Sequence, residues 1–448
     1  MNRDIKQTFN QTIHFKIGGV YLDFINGSVN INDWRPAMAE LRKDRIEAID
    51  VFRGLTIFLM FIVIAIGSGG YRNLPQTASW FGSLPISTWN HADVAWERFV
   101  EEKTSEGFTE EEINAMPEAA LKNVGLTLTD LVAPFFIFIV GLCLPLSRAK
   151  HGREWWNHVL SRTVKLILFG VLYISLILGL SWWWGILQAI GVSYFMAAAS
   201  LKLNRRGRWV AVFGVLAFHM IMSHFTDWWL NFGNTSEPFF RISTLSGNMV
   251  KPLRVHCLPW VSISYGALTI IGVMLGEAVA SKDRKRILTD SFRLGAIFMA
   301  IGYAIHKTGL MTGVTSLSFN KPDVTASYAL FTAGLACAVF GILYWIVDVK
   351  KIKGWIFPFK QLGINALLAY FMQIFMRIFF GALHLEAFFA GEPNDQLQQW
   401  AGLWSWSGWQ HFLLDKTGYN GLFWAVLWSI CLWFCVYACN KRNVYWKL

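Results

Sequence analysis

Apolar and polar positions come in blocks along this chain rather than in strict alternation. Runs close to membrane-spanning length fall at 52–69, 127–147, 159–180, 183–203, 208–227, 258–280, 290–307, 325–348, 357–381 and 420–439. About 20 apolar residues in a helix cross a hydrocarbon layer of about 30 Å. Inside that layer no water can satisfy a backbone amide, so each run must be a helix. Strands of a membrane barrel would alternate polar and apolar residues, and these runs do not. The pattern predicts an all-α, polytopic integral membrane protein of about ten transmembrane helices with long extracytoplasmic loops.

The polar blocks between the runs differ in character. Arg148, Lys150 and Arg153 follow the second run, and Lys202, Arg205, Arg206 and Arg208 follow the fourth. Lys282, Arg284, Lys285 and Arg286 follow the sixth, Lys350, Lys351 and Lys353 the eighth, and Lys441, Arg442 and Lys447 the tenth. Ten spans put all of these on one side, and the excess of positive charge makes that side cytoplasmic, with both termini on it. The opposite side receives long loops at 70–125, 228–257 and 382–419. The first is an acidic insertion carrying Glu97, Glu101, Glu102, Glu106, Glu110, Glu111, Glu112 and Glu118. Within it, Thr109 followed by Glu112 predicts a capping box at the start of a short helix. Residues 1–45 are polar and lack the apolar core of a signal peptide, so they read as a cytoplasmic extension. Met38 before Ala-Glu-Leu-Arg-Lys-Asp-Arg is a second start for the chain, which would make the first 37 residues dispensable.

Composition agrees with this picture. Charged residues make up 15% of the chain, against about 25% in soluble proteins. The net charge of +11 lies mostly in short loops, which is topology rather than a nucleic-acid groove. Cys143, Cys337, Cys431, Cys435 and Cys439 lie inside apolar runs and form no disulfide framework. Cys431, Cys435 and Cys439 share one helix face without any histidine or carboxylate, which favours small packing residues over a metal site. Gly272 and Gly276 form one small-xxx-small pair, a signal for a homodimer contact. Many of the 23 tryptophans sit near the outer boundary, as an interfacial belt or a sugar-stacking surface.

Few residues can carry chemistry. His151 and His158 lie in or beside a basic inner loop, and His219 and His224 near the outer end of the fifth helix. His91 stands just outside the first helix, beside Asn90, where an imidazole can act as acid, base or nucleophile near neutral pH. Asp130 opens the second helix at the membrane edge, either as a functional carboxylate or as a helix cap. Arg53, at the inner start of the first helix, reads as a snorkelling anchor.

Along most of the chain from residue 45, ordered segments resemble one family. They are Ile49-Asp50-Val51-Phe52-Arg53-Gly54, then the His91 region, then Leu126-Thr127-Leu128-Thr129-Asp130-Leu131-Val132-Ala133-Pro134 and its apolar continuation to Gly141. Gly185-Ile186-Leu187-Gln188, Asn320-Lys321, Ser327-Tyr328, Thr332-Ala333-Gly334, Pro358-Phe359, Gly363-Ile364-Asn365-Ala366 and the tail Tyr445-Trp446-Lys447-Leu448 follow. Together they resemble the transmembrane acyltransferases typified by heparan-α-glucosaminide N-acetyltransferase and its bacterial relatives. The resemblance implies a transmembrane acyltransferase domain over 46–448. It implies acetyl-CoA as donor from the cytoplasmic side and an amino sugar or glycan as acceptor on the other. His91 matches the family's catalytic histidine, with Asp130 as the carboxylate that orients it and Asn90 as a donor to the oxyanion. Arg53, Gln188, Lys321 and Asn365 are the matching candidates for contact with the donor.

Three features depart from the family's pattern. The acidic insertion separates His91 from Asp130, the stretch near Val255-His256-Cys257-Leu258 lacks the usual acids, and Ile64 stands near the family's asparagine. The insertion would repel a polyanionic acceptor. His91 can form an acyl-imidazole or act as a general base, and the residues leave both open. The competing readings are an O-acyltransferase of cell-envelope glycans and a transporter of sugars or lipid-linked sugars. The halves of the chain show no clear repeat, which counts against the transporter. The bacterial relatives point to the inner membrane as the location.

Overall fold

In the computed structural model a helix stands at each of the ten apolar runs, because backbone amides in such sequence are satisfied within the helix itself. The structure describes residues 13–17, 20–25, 28–29, 46–67, 103–115, 126, 128–178, 184–226, 260–321, 323–382 and 418–446. The chain forms two units, one of Met1–Glu47 with Lys447, the other of Ala48–Trp446 with Leu448.

The first unit takes in the polar extension read from the sequence. It carries three antiparallel strands, β1 (Ile13–Ile17), β2 (Val20–Ile25) and β3 (Ser28–Val29). Ile13 pairs with Phe24 and Ile17 with Val20, and Phe24 pairs in turn with Val29.

The second unit consists of helices joined by turns among its described residues. Its elements are α1 (Glu47–Gly67), a short α2 (Glu110–Ala115), α3 (Val132–His151), α4 (Trp155–Leu178), α5 (Ile186–Ser200) and α6 (Arg205–Thr226). Then come α7 (Val261–Ala280), α8 (Arg284–Thr312), α9 (Ala326–Tyr344), α10 (Phe357–Ile364), α11 (Ala366–Ala382) and α12 (Gly418–Lys441). Among the described residues, five helical segments are long and apolar enough to cross a membrane: Thr129–Tyr173, Arg205–Phe225, Val261–Ala280, Arg284–Thr312 and Ala326–Val349. The first contains α3 and most of α4, which turn into one another at Gly152. Helices Ile186–Ser200, Ala366–Met376 and Val426–Lys441 are apolar but shorter. The ninth run is not one helix: it breaks at Asn365, between α10 and α11. The capping box of α2 forms as its sequence predicts, with the Thr109 amide donating to Glu112 at 2.8 Å and the Glu112 amide to the Thr109 hydroxyl at 3.3 Å. These bonds hold the Glu112 carboxyl below the ordinary carboxylate range.

Helix α7 is the centre of this unit, packed against α3, α5, α6, α8 and α9 and buried along almost its whole length. Its closest approach is to α3. A Cβ on Gly141 would overlap the Thr269 carbonyl, one on Gly272 the Phe138 carbonyl, and one on Gly276 would reach the Leu142 carbonyl at 2.5 Å. Gly272 and Gly276 therefore serve a contact inside the chain, where lipid gives helices no hydrophobic reason to associate and close backbone packing must supply it. This replaces the dimer reading of that pair. A second close crossing joins α1 to α10. Gly54 lies on the Phe359 carbonyl and Gly363 on the Asp50 carbonyl, with no room for a Cβ at either. Cys435 and Cys439 pack beside the cluster formed by α1, α11 and α12, and the Cys435 sulfur lies 3.8 Å from that of Met376.

Candidate active site

Asp130 lies in the 3₁₀ turn Thr129–Leu131 that leads into α3, and it is fully buried. Its carboxylate faces Lys321, whose Nζ is 3.5 Å from Oδ1. Its carbonyl accepts a hydrogen bond from the Tyr328 hydroxyl at the start of α9. A carboxylate taken out of water is tolerable only when paired, and Lys321 supplies the countercharge. The structure thus joins two separate segments of the sequence, around Asp130 and Asn320-Lys321.

Lys321 is presented by a buried turn between α8 and α9. The Asn320 side chain accepts from the Asp323 amide at 3.0 Å, and Thr325 Oγ1 accepts from the Asn320 amide at 3.2 Å and donates to the Ser318 carbonyl at 2.7 Å. The Phe319 amide donates to His306 Nδ1 at 2.9 Å, and the His306 ring stacks on Phe319 at 3.9 Å. Val324 has a φ of +51°, a strained conformation for a β-branched residue. The Ser264 hydroxyl, from α7, donates to its carbonyl. Asp323 completes the turn: it accepts from the Ser223 hydroxyl and lies 3.6 Å from His219 Nε2, both on α6. His219 and Asp323 are both fully buried. The sequence placed His219 near the outer end of its helix but carried no sign of this partner, because Asp323 lies in a short polar block that reads as an ordinary loop.

The other candidate donor contacts lie elsewhere. Arg53 does not snorkel. Its guanidinium donates to the Gly363 carbonyl at 3.2 Å and to the Cys143 sulfur at 3.4 Å, and stands 3.6 Å from Asp50. Gln188 accepts the Gly185 amide at 3.0 Å and so caps the start of α5. Asn365, at the break between α10 and α11, donates to Asn440 at 2.9 Å and to the Val444 carbonyl at 2.8 Å, and accepts from the Trp446 amide at 3.0 Å. Asp130 and Cys143, which touches Arg53, belong to the same stretch of helix, so the two places are roughly 20 Å apart along it. His91 and Asn90 lie outside the described residues.

Comparison with known proteins bears on the same stretch. The family model described as heparan-α-glucosaminide N-acetyltransferase, catalytic, matches residues 110–305. This stretch, under half of the chain, is similar to that family. A relative of that name from mouse (Mus musculus) is 27% identical over 179 residues, 37% of this chain. The matched stretch spans 20% of the length of the mouse protein. The family match takes in Asp130, Gln188 and His219 and the α3–α7 crossing. Arg53, His91, Lys321 and Asn365 fall outside it.

Proposed function

We propose that this protein is a membrane acyltransferase that moves an acetyl group from cytoplasmic acetyl-CoA to an amino sugar or glycan on the extracytoplasmic side, in a bacterial inner membrane. The observation that carries this reading is the buried Asp130–Lys321 pair at the entry to α3, of which Asp130 lies within the segment that resembles the family's catalytic part. An intramembrane ion pair is costly to keep and marks functional positions by default.

In this reading His91, just outside the membrane, is the acid–base or nucleophilic group. Asp130 holds its imidazole in the productive orientation, and Asn90 donates to the oxyanion. The acceptor's amine nitrogen forms a bond to the acetyl carbon, the carbon–sulfur bond of the thioester breaks, the amine gives up a proton and CoA leaves as its thiol. With an acyl-imidazole, His91 takes the acetyl group first and the amine attacks it second; by direct transfer, His91 takes the proton as the amine attacks. Arg53, Gln188, Lys321 and Asn365 frame the donor's path. The hydrogen bonds of Arg53, Gln188 and Asn365 fix helix ends and crossings and Lys321 pairs with Asp130, so their effect on the donor is to shape the passage between the helices. The separation of roughly 20 Å along α3 suits a donor that keeps its nucleotide at one end and delivers only the acetyl group at the other.

The test is release of free thiol from acetyl-CoA by purified protein with a panel of amino sugars, wild type against His91→Ala. Amine-dependent release that vanishes in a folded variant supports the reading. Undiminished turnover in His91→Ala would refute the assignment of His91. No release with any acceptor and no stabilisation by CoA would favour the transporter. Acetyl ester rather than amide in the product would identify an O-acyltransferase.

A further inference from the structure

The inner end of α3, the start of α4 and the middle of α5 bring together basic and hydroxyl groups, several of them buried without a hydrogen-bond partner, while His151 Nδ1 meets the Ser147 carbonyl at 2.8 Å. The His151 and His158 rings stack with centroids 3.8 Å apart and an interplanar angle of 11°. The charged groups that act on His158 are all basic: His151, Arg162, Lys165 and Lys150. One turn along α4, the Arg162 guanidinium lies over the Tyr194 ring of α5, its carbon 5.0 Å from the centroid. Tyr194 is 1% exposed. Three polar atoms here are buried without a hydrogen-bond partner, His158 Nε2, Arg162 Nε and Thr163 Oγ1, and the buried Tyr194 hydroxyl has at most the Arg162 guanidinium beside it.

Other arginines at this end of the helices are engaged. Arg148 donates to the Leu201 carbonyl at 2.9 Å, and Arg208 donates to the Ser200 carbonyl at 3.0 Å and pairs with Glu277. Arg205 and Arg286 both approach Asp290, at 3.6 and 3.9 Å. Leaving buried donors unmade is expensive, and clustering cations without an acid more so. Both costs vanish if an anion with several acceptor oxygens sits among them. The group that meets a guanidinium fork, imidazoles and hydroxyls together is a phosphate.

We propose that His158, Arg162, Thr163 and Tyr194, with His151 beside them, form a phosphate-binding site at the basic end of α3–α5. Two sources share that chemistry: a phosphate of the nucleotide end of CoA, and the headgroup of an anionic phospholipid. Assignment to CoA rests on the acetyltransferase reading; the site itself does not.

The experiment uses the full chain in nanodiscs, wild type against Arg162→Gln, Arg162→Lys and Tyr194→Phe. Binding of adenosine 3′,5′-bisphosphate, CoA and dephospho-CoA is measured by calorimetry, and retention of phosphatidylglycerol by native mass spectrometry. Loss of one charge-assisted contact weakens binding roughly tenfold. The expected result is a loss of that size in Arg162→Gln, smaller in Arg162→Lys. If it is seen with the bisphosphate and CoA, the source is the donor; if it is seen only with phosphatidylglycerol, the source is lipid. Equal binding of every phosphate ligand by wild type and all three variants, or no binding by any, overturns the site. CoA binding and acetyl transfer that are indifferent to Arg162, with phosphatidylglycerol retained equally by wild type and Arg162→Gln, overturn the site and leave the proposed function standing. Arg162-dependent phosphate binding without transfer to any acceptor does the reverse.

Discussion

Lys321 Nζ stands 3.5 Å from Asp130 Oδ1, with Asp130 fully buried and Lys321 13% exposed. The two are far apart in sequence, and each sits where a polar segment meets an apolar run. Removing one partner strands the other charge in a low dielectric, at a cost of about 3–5 kcal/mol. Replacing both by neutral residues of similar size costs far less. Lys321→Met and Asp130→Asn should each lower thermal stability sharply, and the double variant should recover much of the loss. A double-mutant cycle by thermal unfolding in detergent measures this; additive losses would show that the pair is not coupled. Acetyl transfer should stay low in the double variant, since the carboxylate is gone.

The crossing of α3 with α7 depends on Gly141, Gly272 and Gly276. A side chain at Gly141 has nowhere to go except into the Thr269 backbone, so the helices must separate. Gly141→Val should destabilise by at least the 1–3 kcal/mol typical of overpacking, and roughly more because the obstacle is backbone. Gly214, by contrast, has open space around it, and Gly214→Ala should be neutral or slightly stabilising. The comparison of the two variants by thermal shift separates a packing effect from a general sensitivity to helix glycines.

The helices were legible because apolar runs near 20 residues admit little other structure in lipid. The capping box at Thr109 and Glu112 was legible because its two bonds are local. What the sequence withheld is long-range. Arg53 reads as a snorkelling anchor until Gly363 and Cys143, brought in by other helices, are seen to take its guanidinium. Gly272 and Gly276 read as a dimer face, since a small-residue stripe looks the same whether its partner is in another chain or in this one. The break at Asn365 is hidden because apolar sequence continues on both sides of it. The strands of the first unit follow from local alternation such as His14-Phe15-Lys16-Ile17, which a reading tuned to long apolar runs passes over.

Asn365 bonds to three points on the C-terminal segment, at Asn440, Val444 and Trp446. Asn365→Ala would leave these groups without their partner inside the protein and should cost about 2–4 kcal/mol. The loss should be local: the last residues should become accessible to carboxypeptidase before the helices unfold. Proteolysis of the variant at a temperature where wild type resists it is the check, and a tail equally protected in both would refute the clamp.

The turn that carries Lys321 is held from below by Asp323, through Ser223 and His219 on α6. Asp323→Ala removes the carboxylate that meets both and leaves His219 facing a gap. A loss of about 2–4 kcal/mol follows from the broken contacts alone. A second effect separates positioning from mere stability. If the turn sets where Lys321 meets Asp130, then Asp323→Ala should lower kcat at temperatures where the variant is still fully folded, with KM for acetyl-CoA little changed. Asp323→Asn keeps the shape and one acceptor for Ser223, and should retain more of both stability and kcat. A variant that loses stability but keeps kcat would make the His219–Asp323 contact a support of the fold and nothing more.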